Sequence, residues 1–543
     1  MVQSPLRGAK RIFFDRIFER SYWTWRKHPA IIVPSMLGSA ITVIEQSILT
    51  TGAIIFVSVL ATEGTLSAFL TQISSDGLTP GLLLNLLFSS SYTPLLIPIV
   101  GVAVVAYLLT AILGGGFVYS SEYGIYLDAW NNDKATVGSV VRHGSVRWRA
   151  MAWTLFLSNL ITWAPFVITF SVFIASALNS ASVTGLIGLF ASSILLEFAL
   201  IASLIIAIFT VYSYPAVIID NVSGLRAIKN SFGAASHNFG ATLSYSIVRV
   251  LFLILLTVVV VPVTSAIGLP LSSLIAAILS LFLTPVLHST KTMIYYYSKP
   301  NVSEMSFELS DPIWHDISRR LPRVAWMKIR AGLVEVGRFT IGPRNLPFHL
   351  LSSLAFGLGV FLGNYVSISG VKSFLLSTGY VSGRGNPNVV FPQVLPPVLG
   401  ADIFLNNWLV SIGTGLAGIG FGAPSFATIL FNGFIVGLLV PLSTLTMLLA
   451  AILPHGVIEI PSLILAGSMG IKLGYAALRR LFGGTTPRNS NGETLSAGSD
   501  DYLSRTLRQT VYVVVGLAPL FLIAGLIEAD LTPIIMRMFG WTF

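Results

Sequence analysis

Between Ala30 and Leu60 the single ionisable side chain is Glu45, and apolar runs of comparable length recur to the end of the chain. Roughly 20 consecutive apolar residues carry an α-helix across the hydrocarbon of a bilayer. No water reaches the backbone there, so each segment must satisfy its own N–H and C=O groups, and a helix does so. Such runs lie near 30–60, 93–117, 151–176, 184–212, 242–264, 268–290, 348–368, 401–420, 425–447, 456–478 and 509–527, about eleven in all. The expected fold is an all-α, polytopic integral membrane bundle in two halves. Composition agrees: only 10% of the 543 residues are charged, against about 25% in a soluble domain.

The net charge of +10 would suit nucleic acid, but its placement argues against that partner. Basic residues gather at the ends of apolar runs, as the positive-inside rule expects. Lys134, Arg142, Arg226, Lys229, the group from Arg319 to Arg344, and Arg479 to Arg508 fall in alternate loops. The opposite segments hold Lys372, Arg384 and Arg537. The pattern places the chain in the cell membrane with the N-terminus inside and the C-terminus outside. The stretch 442–460, bracketed by Pro441 and Pro461, is the one place where a re-entrant segment would alter that count. The chain has no cysteine, which excludes disulfides, thiolate metal sites and thiol nucleophiles. It also matches the avoidance of thermolabile residues in thermophiles.

Three regions follow: 1–290 with six spans, a more polar linker at 291–346, and 347–543. In the linker, Asp311-Pro312 begins a helix with Pro at its first position. Ile313, Trp314, Ile317, Leu321, Val324 and Trp326, set among arginines, suit a helix on the inner membrane surface or one packed on the bundle. Gly483 to Asp501 reads as a flexible loop. The N-terminal region repeats itself weakly: Asp128, Ala135 and Ser139 recur at one offset as Asp220, Ala227 and Ser231, each set in a short basic helix between spans. That arrangement resembles the six-span membrane domains found beside glycerophosphodiester phosphodiesterases and in Yip-like proteins.

From Phe348 onward an ordered series appears: Phe404-Leu-Asn406-Asn407, Phe431-Asn432-Gly433, Leu453-Pro454-His455-Gly456 with Glu459 and Pro461, and Gly525-Leu-Ile-Glu528 with Thr532-Pro533. The series resembles the stage II sporulation protein M family of bacteria and archaea, over roughly the last 200 residues. The resemblance implies a membrane scaffold, since the spore-former member works with cell-wall hydrolases during engulfment. The six-span N-terminal half is an addition to the short family form.

The polar residues inside spans are the candidate functional groups, because ionisable side chains in hydrocarbon are expensive. His455 and Glu459, at i and i+4, share one helix face. With Asn406, Asn407, Asn432 and Glu528 they form an expected intramembrane polar cluster. In the N-terminal half Glu45, Glu197 and Arg249 are the intramembrane charges, and a Glu197–Arg249 ion pair would let both be tolerated. A metal site needs three or four ligands, and neither a zincin motif nor a Gly-x-Ser-x-Gly elbow exists here. No metal, cofactor or enzymatic activity is expected. Gly418 with Gly422, Gly433 with Gly437, and Gly470 with Gly474 have the spacing that lets helices approach closely.

The leading functional expectation is a non-enzymatic membrane scaffold or complex-assembly protein acting in envelope or membrane remodelling. Its partners would be the lipid bilayer and other membrane or cytoplasmic proteins, or a second copy of itself. The alternative is a transporter or permease-like subunit whose inside helices at 128–149 and 220–241 dock a separate ATPase, since the chain has no phosphate-binding loop.

Overall fold

The computed structural model describes residues 14–76, 91–178, 183–254, 258, 282–299, 316–377, 396–482 and 502–539. Among them no strand occurs. The first helices are α1 (Phe14–Lys27), α2 (Ile32–Thr62), α3 (Leu66–Asp76), α4 (Thr93–Asn132), α5 (Val137–Leu178) and α6 (Val183–Thr210). They are followed by α7 (Ser213–Ile219), α8 (Leu225–His237), α9 (Phe239–Ile254), α10 (Thr284–Tyr297), α11 (Leu321–Ile341), α12 (Leu346–Val366) and α13 (Lys372–Ser377). The last are α14 (Pro396–Ala417), α15 (Ala423–Leu439), α16 (Leu445–Phe482), α17 (Tyr502–Gly516), α18 (Ala518–Leu526) and α19 (Thr532–Met538).

Among the described residues, 8 helical stretches are long and apolar enough to cross a membrane, and the chain is an all-α polytopic membrane protein. The expected span at 401–420 is the helix α14, whose Asp402, Asn406 and Asn407 dilute its apolarity. Of 242–264 only α9 and Val258 are described, and of 268–290 only the part from 282. The stretch 442–460 does not fold back on itself within α16: after a 3-10 turn at Val440–Leu442 the chain enters that helix, which runs for 38 residues through Pro454 and Pro461. Asp311 to Trp314 and the loop 483–501 lie outside the described residues.

The chain divides into two compact units that alternate along the sequence. One takes Met1–Ser35, Ile112–Val258 and Leu279–Ser310; the other takes Met36–Ala111, Val259–Ile278 and Asp311–Phe543. In the first, large apolar side chains on α5 and α6, among them Ile168, Ile187, Phe190 and Phe198, point outward, as lipid-facing helices require. Its interior is aromatic: Tyr123, Tyr126, Tyr212, Tyr245 and Tyr295 are fully buried.

The second unit is packed through glycines. A Cβ added at Gly359 or Gly363 of α12 would sit 2.0 Å from the carbonyl oxygen of Leu430 or Phe434 on α15. In return, one at Gly433 or Gly437 would sit 2.1 Å from the oxygen of Phe356 or Val360. The expected close approaches at Gly418 and Gly470 are realised against each other, with a Cβ at Gly418 lying 1.9 Å from the Gly470 oxygen. Gly422, at φ +82°, turns the chain from α14 into α15 and touches Gly474. The linker helix α11 lies on α17 through Gly332 and Gly516 and buries Val336 and Phe339 in this unit's core, while Leu321 and Val324 nearer its start are half-buried and Trp326 is exposed.

Candidate functional site

α16 presents His455 and Glu459 one turn apart, both half-buried. Opposite them, between α18 and α19, the helix widens into a π turn over Ile527–Leu531 that carries Glu528. Such wide turns re-aim side chains and recur at functional sites. One ligand atom from each of His455, Glu459 and Glu528 lies within 4.8 Å of the other two. Asn407 Nδ2 on α14 donates to Glu459 Oε1 at 2.9 Å, and Asn406 Nδ2 donates to Asn407 Oδ1 at 3.2 Å. The Thr532 hydroxyl stands 3.2 Å from His455 Nδ1 and donates to the Ile527 carbonyl at 3.2 Å. Glu459 Oε2 is buried and has no hydrogen-bond partner among the described residues.

Five of the six residues expected in this cluster are therefore joined by contact or proximity. Asn432 is not among them: its amide donates to Thr428 O of its own helix at 2.8 Å. Thr532 belongs to the site without having been singled out for it. Its signal was present, because it stands four residues after Glu528 in the Ile-Glu-x-x-x-Thr-Pro stretch.

The same helix holds a second polar network. Lys472 Nζ donates to Asn345 Oδ1 at 2.9 Å and Gln509 Oε1 at 2.8 Å, and Gln509 Nε2 donates to Glu335 Oε1 at 2.6 Å. Glu335, Lys472 and Gln509 border a cavity of about 660 Å³ that Arg338, Arg505 and Arg508 also line.

In the first unit the repeat residues tie helix ends together. Asp128, at the end of α4, accepts from Arg142 Nη2 at 2.5 Å and lies 3.2 Å from His143 Nε2. Asp220 accepts from Asn230 and Lys299, each at 2.7 Å, and from the Tyr295 hydroxyl. Ser231 Oγ donates to Phe209 O and accepts from Tyr212 N, and Ser139 N is held by Thr136 Oγ1. Ala227 is buried and Ala135 half-buried. The first copy sits at the break between α4 and α5, where Asp133 has φ +50°, rather than on a short helix of its own. The second copy spans a similar break, with Asn221 at φ +57°.

Glu45 is half-buried on α2. Glu197 and Arg249 both stand exposed on their helices and form no ion pair with each other among the described residues. The buried charges of this unit lie elsewhere. Glu122, 2% exposed, has Oε2 2.8 Å from His288 Nδ1 and accepts from Tyr126 OH at 3.1 Å. Lys291, 5% exposed, points its ammonium at the rings of Tyr123 (5.1 Å) and Tyr214 (5.5 Å). Sequence reasoning passed over this group; its trace was the density of tyrosine around Glu122 and again after His288.

Fold and site together define an integral membrane protein whose C-terminal spans enclose a half-buried cluster of one imidazole and two carboxylates. A family model for stage II sporulation protein M matches residues 352–533, and the chain belongs to that family through this part. An uncharacterized protein of Methanocaldococcus jannaschii is 32% identical over 134 residues, which are 23% of this chain and 67% of that relative. No solved structure matches. Asn406, Asn407, His455, Glu459, Glu528 and Thr532 all fall inside the matched stretch.

Proposed function

We propose that the protein is a non-enzymatic scaffold of the cell membrane that assembles partner proteins for envelope or membrane remodelling. The observation that supports it is the reciprocal glycine contact between α12 and α15, where backbone meets backbone at four places. Helices in contact at that range cannot slide past one another without separating first. A bundle built so offers a fixed outer surface, which suits docking better than it suits alternating access. Purification in mild detergent should recover stoichiometric partner proteins; a clean monomer or homodimer from native membranes would refute the reading. An inside N-terminus and outside C-terminus belong to the same proposal. The cysteine-free chain makes them testable by labelling Ser4→Cys and Thr542→Cys in intact cells and in inverted vesicles.

The second reading, a transporter or permease-like subunit, is favoured by one feature, the ionisable cluster at His455. The two separate on one variant. His455→Gln should leave partner assembly intact in a scaffold, whereas in a transporter it should abolish uptake by cells expressing the protein.

A further inference from the structure

We propose that His455, Glu459 and Glu528 bind one divalent first-row transition metal ion of the Zn2+ or Mn2+ kind. Three side chains from two separated parts of the chain, 69 residues apart at the nearest pair (528 − 459), converge until their ligand atoms lie within 4.8 Å of one another. Metal–ligand bonds of about 2.0–2.2 Å put tetrahedral ligands roughly 3.3–3.6 Å apart. Small rotations of the long Glu side chains close that difference.

The surrounding hydrogen bonds prepare each ligand for a cation. Asn407 occupies Glu459 Oε1 and leaves Oε2 buried with no partner among the described residues. With the Thr532 hydroxyl directed to the Ile527 carbonyl, its oxygen accepts from His455 Nδ1 in one of the two tautomers open to the ring. In that tautomer Nε2 carries the lone pair a metal needs. Partners that orient first ligands in this way are a regular part of metal sites. One imidazole with two carboxylates suits Zn2+, Mn2+ or Fe2+ better than the soft Cu(I) or the all-oxygen Mg2+ and Ca2+. Three protein ligands leave a further position for water or for a group brought by a partner. Bound there, the ion would clamp the Glu528 turn and α19 to α16.

The inference stands independently of the scaffold reading, and its test does not use partner recovery. Full-length protein in detergent is stripped with EDTA, dialysed against micromolar ZnCl2 or MnCl2, and assayed for metal by mass spectrometry and for its thermal midpoint. The expected result is about one ion per chain and a raised midpoint with one of the two metals. His455→Gln, Glu459→Gln and Glu528→Gln should each lose the ion, while Glu197→Gln keeps it. Asn407→Ala and Thr532→Val should weaken affinity by about 10–100-fold. If the ligand variants fail to fold, Co2+ added to the wild type decides: a visible d–d band that excess Zn2+ removes supports the site. No ion above background in the wild type, or full occupancy in Glu459→Gln, overturns it.

Discussion

Replacing Gly433 by Ala is the sharpest test of how the second unit is held together. The added Cβ would lie 2.1 Å from the Phe356 oxygen, where a carbon–oxygen contact of about 3.3–3.6 Å is normal. α12 and α15 must then part by roughly 1.2 Å or more. Forcing a methyl into a filled interior costs about 1–3 kcal/mol. Parting also weakens the neighbouring contacts at Gly359, Gly363 and Gly437, each worth about 0.5–1 kcal/mol as a Cα–H···O interaction. Against this stands the gain of about 0.8–1 kcal/mol in helix propensity from Gly to Ala. The net expectation is a loss of about 2–3 kcal/mol. Gly357, on the facing helix α12, provides the control, because nothing lies within 4 Å of a Cβ built there. Gly357→Ala carries the same propensity gain with no clash and should be neutral or stabilising. Thermal unfolding of the two variants in one detergent, followed by tryptophan fluorescence, reads the difference. Equal midpoints for Gly433→Ala and Gly357→Ala would refute the packing argument.

Asp220→Asn should destabilise the protein by about 1–3 kcal/mol, because it strips Lys299 of its anion and removes the charge that strengthens the hydrogen bond from Tyr295; a wild-type melting temperature would show that the second repeat copy does not tie its helices. Lys472→Met leaves the Asn345 and Gln509 oxygens without a donor, and a loss of about 1–3 kcal/mol is expected in the same melt. His28, just ahead of the first span, is held below its ordinary range by burial, with neighbouring Asp133 partly opposing and Lys27 assisting. The unfolded chain therefore binds the extra proton, and stability falls as pH drops below about 6.5. Melting midpoints at pH 7.5 and 5.5 should differ less in His28→Asn than in the wild type; an unchanged difference would count against the assignment.

The apolar runs made the helices legible, because hydrocarbon leaves the backbone no alternative, and the pairing of His455 with Glu459 followed from helix geometry alone. What the sequence concealed was orientation. Asn406, Asn407 and Asn432 are alike in chemistry, yet Asn432 finds its acceptor on its own helix and needs no neighbour. Glu197 and Arg249 invited pairing by charge, but both are exposed on their own helices, and complementarity of sign cannot turn them toward each other. Glu122 and His288 stand far apart in sequence, so only the fold could disclose their approach to 2.8 Å.

The contrast between the two polar networks on α16 bears on which of them has a purpose beyond packing. Lys472 is the more demanding group, a cation in an apolar helix, and the structure answers it with two acceptors, one of which is itself held by Glu335. A group kept for helix packing is satisfied in this way, since an unmade bond in hydrocarbon costs several kcal/mol. Glu459, about three and a half turns earlier on the same helix, has one oxygen held by Asn407 and the other buried without a partner among the described residues. Glu528 brings a second carboxylate to the same place instead of a donor. Packing alone would select against that juxtaposition, and a single Glu→Gln substitution at either position would relieve it. Retaining both carboxylates is understandable if a cation belongs between them, so that the arrangement which weakens the empty bundle is the one that completes the occupied site.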